Sequence, residues 1–550
     1  MPLRNYQSAC LDKSLERYRA GVNRQLAVLA TGTGKTCIAS AIRSHHEFTR
    51  KILFLVHREE LADQAAEDIL FWNPGLMVGI EMAKRRSRPM DTFIVASVPT
   101  IGKKGSPRLD KFDPSSFNCI IQDEVHHGMA KSFQTVYSHF GLMAPNPSGP
   151  LFLGLTATPN RSDGKGLRKI MDEVIFDYGM EKAIADGYLV DLKLWRISSK
   201  TNLDSVGTAD GDFRKKELET TVNTPERNAL IVKAWAQRAK GLKSLAFTVD
   251  VQHALDLAEA FKALGVPASA VWGEDEARRD KRKQFSDGRL EVVCNCSVWT
   301  EGFDERGIQC IILAKPTKSA LLVEQEIGRG TRLPKGCDHI SEVPVGGKTD
   351  CLILDVVDTT SKHQLFTAAS LLGLPVNLDL KGATYREAKA KIDRVANEFP
   401  TANFADLRDL EKLDYLAQQF SLFTVKYPPE VERLTELAWR KQGDGYILPV
   451  MRERLTLCKD LRDEWWVRGS LNGKPLEIHA QNLAGAFNAA DREVMASGDR
   501  KPLVMRDARW HDQKPSEKQI GLCRKLRLQI PDGATRGQVS AALDAHFGRA

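Results

Sequence analysis

The sequence predicts an α/β protein with two parallel sheets in tandem, followed by a mostly helical C-terminal region. Three observations carry this. Short apolar runs alternate with helical patterns through the first two thirds of the chain. The runs fall into two series separated by a polar stretch. After residue 365 they stop, and amphipathic helical patterns take over.

The first series is "QLAVLA" (25–30), "ILFLV" (52–56), "FIVAS" (93–97), "NCIIQ" (118–122) and "LFLGL" (151–155). These runs lack polar alternation, as expected of strands buried on both faces of a parallel sheet. The second series is "SLAFT" (244–248), "ASAVW" (268–272), "EVVCN" (291–295), "CIILA" (310–314) and "CLILD" (351–355). Between them, residues 196–225 are polar and read as a surface connection or insertion. Residues 380–440 read as amphipathic helices, and "WWVRGSLNGKPLEIHA" (465–480) as a hairpin turning at Asn472-Gly473. Ser516-x-x-Gln519 and Thr535-x-x-Gln538 are capping boxes, predicting helices over 517–528 and 536–547 joined through Pro531-Asp532-Gly533. The expected domains are 1–192, 193–365, a helical accessory region 366–460, and a hairpin with a small helical module at 461–550.

With 550 residues the chain exceeds what one core can bury, so several domains are expected. Its composition, 42% hydrophobic and 27% charged, is that of a soluble globular protein. No run approaches the roughly 18 apolar residues of a membrane span, and "MPLRNYQSAC" carries no apolar leader. A cytoplasmic protein of a bacterial or phage-infected cell is expected. The net charge of +8 permits a nucleic-acid partner without demanding one. Cys294 and Cys296 point the same way on a strand, but no second close pair completes a zinc site; core thiols are the simpler reading.

"LATGTGKTCIAS" (29–40) follows the first strand. Gly32 and Gly34 let backbone N–H groups turn around phosphate oxygens. Lys35 would meet the β/γ-phosphates and Thr36 would hold Mg²⁺ through its hydroxyl. Leu29 stands where the phosphate-loop spacing has its first glycine, which leaves a glycine-rich turn as the alternative. "IIQDEVHH" (120–127) ends a strand in two acids. Asp123 suits a hydrated Mg²⁺, and Glu124 suits deprotonation of an attacking water; an exposed acidic turn is the alternative. In "VEQEIGRGTR" (323–332), a continuous helix would put Gln325, Arg329 and Arg332 on one face. Two guanidinium groups suit a γ-phosphate in transfer, and a solvated basic face is the alternative. These arginines belong to the second series, so they reach the lysine loop only if the two sheets face across a cleft.

With these pieces in order, residues 3–363 resemble a superfamily 2 DExH-type helicase or translocase, of the group with type III restriction motors, XPB-like repair helicases and phage recombination helicases. The resemblance implies two tandem RecA-like domains, ATP and Mg²⁺ as cofactors, and hydrolysis coupled to movement on DNA in repair, recombination or replication. "LRNYQ" (3–7) resembles the Q motif, with Gln7 reading adenine. "ATGTGKT" (30–36) resembles motif I, adding Thr31 and Thr33 to the nucleotide contacts. "VHREEL" (56–61) and "ASVPT" (96–100) resemble strand-contacting motifs, "DEVHH" (123–127) motif II, and "LTATP" (155–159) motif III. "AFTVDVQHA" (246–254), "SVWTEGFD" (297–304) and "QEIGRGTR" (325–332) resemble motifs IV, V and VI.

From the resemblance, His126, Thr156 and Thr158 would couple the domains. Arg58, Thr100, Thr248 and Thr300 would hold backbone phosphates. Gly302 and Asp304 would lie near the ribose, and Gln325, Arg329 and Arg332 would join Glu124 in catalysis. DNA is favoured over RNA as partner, with an RNA remodeller or an ATP-switched duplex clamp as rivals. The charge run 274–285 reads as a solvated helix or a nucleic-acid patch, and Trp465-Trp466 as hairpin packing or base stacking. The basic module at the C-terminus fits nucleic acid or a protein partner equally.

Overall fold

The computed structural model describes residues 3–157, 167–209, 212–299, 303–363, 365–398, 407–410, 429–442, 445–450, 453–460, 464–497, 505, 512–526, 528, 530 and 533–546. It divides into two compact units, Met1–Ala388 and Lys389–Ala550.

The first unit holds two parallel sheets. Strands β1 (Arg24–Leu29), β2 (Lys51–Val56), β3 (Val78–Glu81), β4 (Phe93–Ser97), β5 (Phe117–Gln122), β6 (Leu151–Thr156) and β7 (Glu173–Tyr178) lie in the order β3-β4-β2-β5-β6-β1-β7. All described pairings are parallel. The β1 and β6 side chains are buried along their whole length, which explains their unbroken apolar runs. One core of this sheet gathers Leu26, Val28, Leu53, Ile120, Phe152 and their neighbours.

The second sheet contains β8 (Asp191–Asn202), β11 (Ser244–Phe247), β12 (Ala268–Val271), β13 (Val292–Asn295), β14 (Cys310–Leu313) and β15 (Asp350–Thr359) in the order β12-β13-β11-β14-β15-β8. Each of its described pairings is parallel too. Strand β8 takes up the start of the stretch expected to be a polar connection. It is an edge strand whose buried residues alternate with wetter ones at Leu192, Leu194 and Ile197, so it lacks the solid apolar run of a central strand. The connection proper is an insertion: a short ribbon of β9 (Thr208–Ala209) and β10 (Asp212–Phe213), then helix Lys215–Val222. It has a small core of its own, from Leu203, Val206, Phe213, Leu218, Val222 and Val249.

A buried ion pair locks the second sheet. The Arg227 guanidinium donates to both carboxylate oxygens of Asp358 at 2.9 Å, and to the Ala314 carbonyl at 2.7 Å. Both side chains are almost wholly inaccessible. Arg227→Ala leaves Asp358 charged and dry. It is expected to lower unfolding stability by about 3–5 kcal/mol, read as a fall in the urea midpoint at unchanged slope.

His253 lies beneath the same sheet. Burial, helped by Arg227, pushes its imidazole down to about 3 from 6.5. An unfolded chain takes up this proton below pH 6.5 and the folded chain does not, so the stability it contributes is complete above 6.5 and falls as pH drops toward 3. Going from pH 7.5 to 5.5, the chain should lose roughly 1.4 kcal/mol more than His253→Gln does, measured by denaturant unfolding at both pH values.

The second unit contains an antiparallel sheet: β16 (Arg440–Gln442), β17 (Gly445–Val450), β18 (Glu453–Lys459), β19 (Trp465–Leu471) and β20 (Lys474–Ala480), in sequential order. Asn472 and Gly473 both adopt positive φ at the β19–β20 turn, as expected of that dipeptide. Strands also form at Arg440–Gln442, Gly445–Val450 and Glu453–Lys459, where a helical region was expected. Alternation of Leu455 and Leu457 with wetter neighbours buries one face against helix Leu483–Ala496. Helices Glu517–Lys525 and Arg536–His546 form as the capping boxes predicted, with Ser516 and Gln519 bonding reciprocally. The Pro531-Asp532 part of their connection lies outside the described residues. Among the described residues, no helix is long and apolar enough to cross a membrane.

Candidate active site

The loop after β1 turns through Gly32 at φ +89° and Gly34 at φ +77°, conformations that L side chains resist. A Cβ at Gly34 would lie 2.6 Å from Gln7 Nε2, so a side chain there would also displace that amide. Helix Lys35–Ala41 begins directly afterwards. Parallel strand β5 delivers Asp123 and Glu124 beside the loop. Glu124 itself sits at φ +49°, a turn that opens the short helical segment Val125–Met129.

One cavity collects Thr31, Gly32, Gly34, Lys35, Thr36, Asp123 and Glu124 from the first sheet with Asp304, Arg329 and Arg332 from the second. The two sheets therefore do face each other. Contact is close: a Cβ on Gly32 would meet Arg332 Cγ at 3.2 Å, and one on Gly328 would meet Thr31 Cβ at 2.5 Å. Arg4, Asp68, Tyr188 and Arg306 also line this cavity. Sequence reasoning missed their approach: Arg4 lies within the Q motif and Arg306 two residues past motif V, but neither was assigned a role, and Asp68 and Tyr188 stand outside the motifs.

The charges are arranged in opposed pairs. Lys35 Nζ donates to Glu124 Oε1 at 3.0 Å. Burial disfavours the ammonium, but Glu124 and Asp123 outweigh it and hold Lys35 above its ordinary value. Asp123 is held above the usual carboxylate range by burial and by Glu124. Glu324, buried on helix Ala320–Ile327, is pushed up to about 8 by burial against the pull of Lys35. Arg332 donates to Asp304 at 2.6 Å and to the Phe303 carbonyl at 2.8 Å. Arg329 donates to the same carbonyl at 2.9 Å. A triphosphate entering here would exchange these carboxylate partners for phosphate oxygens.

The donor set fits such a ligand. Thr31 Oγ1 is buried with no hydrogen-bond partner among the described residues, a donor that a phosphate oxygen would satisfy. Asp123 and Thr36 offer the hard oxygen ligands that Mg²⁺ takes.

Several predicted residues stand elsewhere. The helix carrying Gln325 ends at Ile327, so Arg329 and Arg332 lie beyond it and the three do not share a helical face. Gln325 lines a second cavity with Arg58 and His127. Gln7 is buried: its Nε2 donates to the Thr33 carbonyl at 3.0 Å and its Oε1 accepts from Arg4 N–H at 3.0 Å. It braces the loop and does not line the cavity. Thr33 turns its own hydroxyl to the Ala30 carbonyl at 2.6 Å. Thr248 is fully buried and donates to the Asn295 carbonyl at 3.2 Å, so it ties strand ends together. Thr100 Oγ1 accepts from Ala83 N–H at 3.3 Å. Arg58 Nη1 approaches the Val298 carbonyl at 3.5 Å, across the seam. His126 Nδ1 lies 3.3 Å from Glu124 Oε2 and 3.4 Å from Thr156 Oγ1, so these three are brought together. Thr158, Thr300 and Gly302 lie outside the described residues.

Comparison with known proteins agrees with this two-lobed cleft. Residues 1–161 match the family model "Type III restriction enzyme, res subunit". A Schizosaccharomyces pombe protein, the mitochondrial irc3, named as an ATP-dependent helicase, is 30% identical over 98% of this chain and 89% of its own length. Irc3 of Saccharomyces cerevisiae, similarly named, is 35% identical over 70% of this chain; the match spans 56% of that longer protein. The DNA 3'-5' translocase XPB2 of Sulfurisphaera tokodaii is 25% identical over 55% of this chain and 72% of its own. The chain belongs to the superfamily 2 ATP-dependent helicases, a family of ATP hydrolases.

Proposed function

We propose that this protein is a DNA translocase or helicase whose ATP cycle opens and closes the seam between its two parallel sheets. The carrying observation is that Arg329 and Arg332 share one cavity with Lys35, Asp123 and Glu124. Lys35 and the loop N–H groups bind the triphosphate. Asp123 and Thr36 would hold Mg²⁺, which would neutralise phosphate charge when bound. Glu124 takes the proton of the attacking water, and Arg329 with Arg332 steady the charge on the phosphoryl group. Loss of the γ-phosphate removes the ligand that both lobes hold, and the seam loosens.

DNA is favoured because the similar archaeal protein is named a DNA translocase and the matching family model is of a restriction subunit. The test measures ATPase stimulation by single-stranded DNA, duplex, branched DNA and RNA. Stronger stimulation by a DNA is expected; stimulation by RNA alone would overturn the choice of DNA. Lys35→Ala should weaken both ATP binding and stimulated turnover, because Lys35 is the lysine that lines this cavity and would meet the phosphates; fluorescent-nucleotide binding checks the first.

A further inference from the structure

Lys348 stands outside every motif read from the sequence, two residues before β15. Its ammonium donates to two main-chain carbonyls, that of Arg332 at 2.9 Å and that of Arg306 at 3.1 Å. Both of those residues line the Lys35 cavity. Their side chains meet at one carboxylate: Arg332 Nη1 lies 2.6 Å from Asp304 Oδ1, and Arg306 Nε 3.6 Å from Asp304 Oδ2. The segments 303–306 and 329–332 are therefore joined twice, by their side chains through Asp304 and by their main chains through Lys348.

The chain between Arg332 and Lys348 is a loop whose middle rests on the first lobe. Ile340 N–H donates to the Gly187 carbonyl at 2.8 Å, and His339 Nε2 lies 2.9 Å from the Asp186 carbonyl. Asp338 accepts from Arg4, which lines the Lys35 cavity, at 2.9 Å. A shift between the lobes therefore acts on this loop at its middle. The Lys348–Arg332 bond closes the loop at its base, so Arg332 answers as one piece with Arg306 and Asp304. Lys348 holds this place at a cost. Burial pushes its ammonium down to about 8, and Arg332 and Arg306 add to that against Cys351 and Glu305. A cation kept beside two guanidinium groups is a common mark of a working site.

We propose that Lys348 is a positioning residue for phosphoryl transfer: it fixes the main chain that carries Arg332 and Arg306, so that the Arg332 guanidinium meets the γ-phosphate in register. Lys348 is not one of the described residues that line the cavity, so it acts through the two arginines. This rests on the role given to Arg332 in the proposed function.

The test uses the full chain. Phosphate release from ATP, with a single-stranded oligodeoxynucleotide present, gives kcat, and a fluorescent nucleotide gives Kd. Lys348→Met keeps the stem and removes the donors. Its kcat should fall about 10- to 100-fold, the cost of a misplacement near 1 Å, while nucleotide Kd stays near wild type. Lys348→Arg, whose guanidinium can span both carbonyls, should recover most of the loss. In an Arg332→Ala chain, Lys348→Met should lower kcat little further, because the group it positions is already gone. Wild-type kcat in Lys348→Met overturns the proposal. So does a fall of the same size with and without the Arg332 guanidinium, which marks a general loosening of the lobe. Should Lys348→Met fold poorly, read from its denaturant midpoint, Lys348→Gln carries the same expectations, since its shorter amide reaches one carbonyl at most. An Arg332→Ala chain that keeps full turnover overturns the role of Arg332 itself, and the role of Lys348 with it.

Discussion

Glu124→Gln is expected to bind ATP yet lose hydrolysis by about 10²–10⁴-fold, the usual worth of a positioned general base. The amide keeps the size of the carboxylate and cannot accept the water's proton. Asp123, the acid proposed to hold Mg²⁺, is untouched. The structure adds a second consequence. Lys35 is held above its ordinary value in part by Glu124, with which it pairs at 3.0 Å. Removing that carboxylate charge frees Lys35 for phosphate, so nucleotide affinity should hold or rise. Single-turnover hydrolysis and equilibrium nucleotide binding read the two effects separately. Retained turnover would remove Glu124 from its role.

Arg332→Lys should be nearly as damaging as Arg332→Ala, each lowering turnover by about 10³-fold or more. Arg332 lies against Gly32 and already directs its guanidinium to Asp304 and the Phe303 carbonyl. A lysine restores the charge without the planar fork that can bridge those acceptors and a phosphate oxygen. Because Arg332 comes from the second sheet, the loss should appear in kcat, with nucleotide binding to the first sheet largely kept. Parallel measurement of kcat and nucleotide Kd tests this. A loss confined to Kd would mean that Arg332 merely holds ground-state nucleotide.

Much of this architecture is legible in the sequence, for identifiable reasons. The ten apolar runs read as buried strands all fall in the two parallel sheets, because a strand covered on both faces has no polar alternation to obscure it. The turn chemistry of Gly32, Gly34, Asn472 and Gly473 was visible because positive φ restricts residue choice. Edge strand β8 and strands β16 to β18 were less visible, since half-buried alternation over few residues competes poorly with a helical reading.

The chain's own order of residues determined which groups are available: a lysine loop, two acids after a strand, and paired arginines. Each is a local pattern, set by side chains a few positions apart. Only the tertiary structure decided which of them meet. The helix that would have aligned Gln325 with Arg329 and Arg332 stops at Ile327, so the arginines enter the Lys35 cavity and Gln325 enters the other. Gln7 and Thr248 were drawn into bracing hydrogen bonds by partners far along the chain. Packing of Gly328 on Thr31 brings the two lobes together. Contacts between residues hundreds of positions apart depend on how whole sheets pack, and no local spacing encodes that.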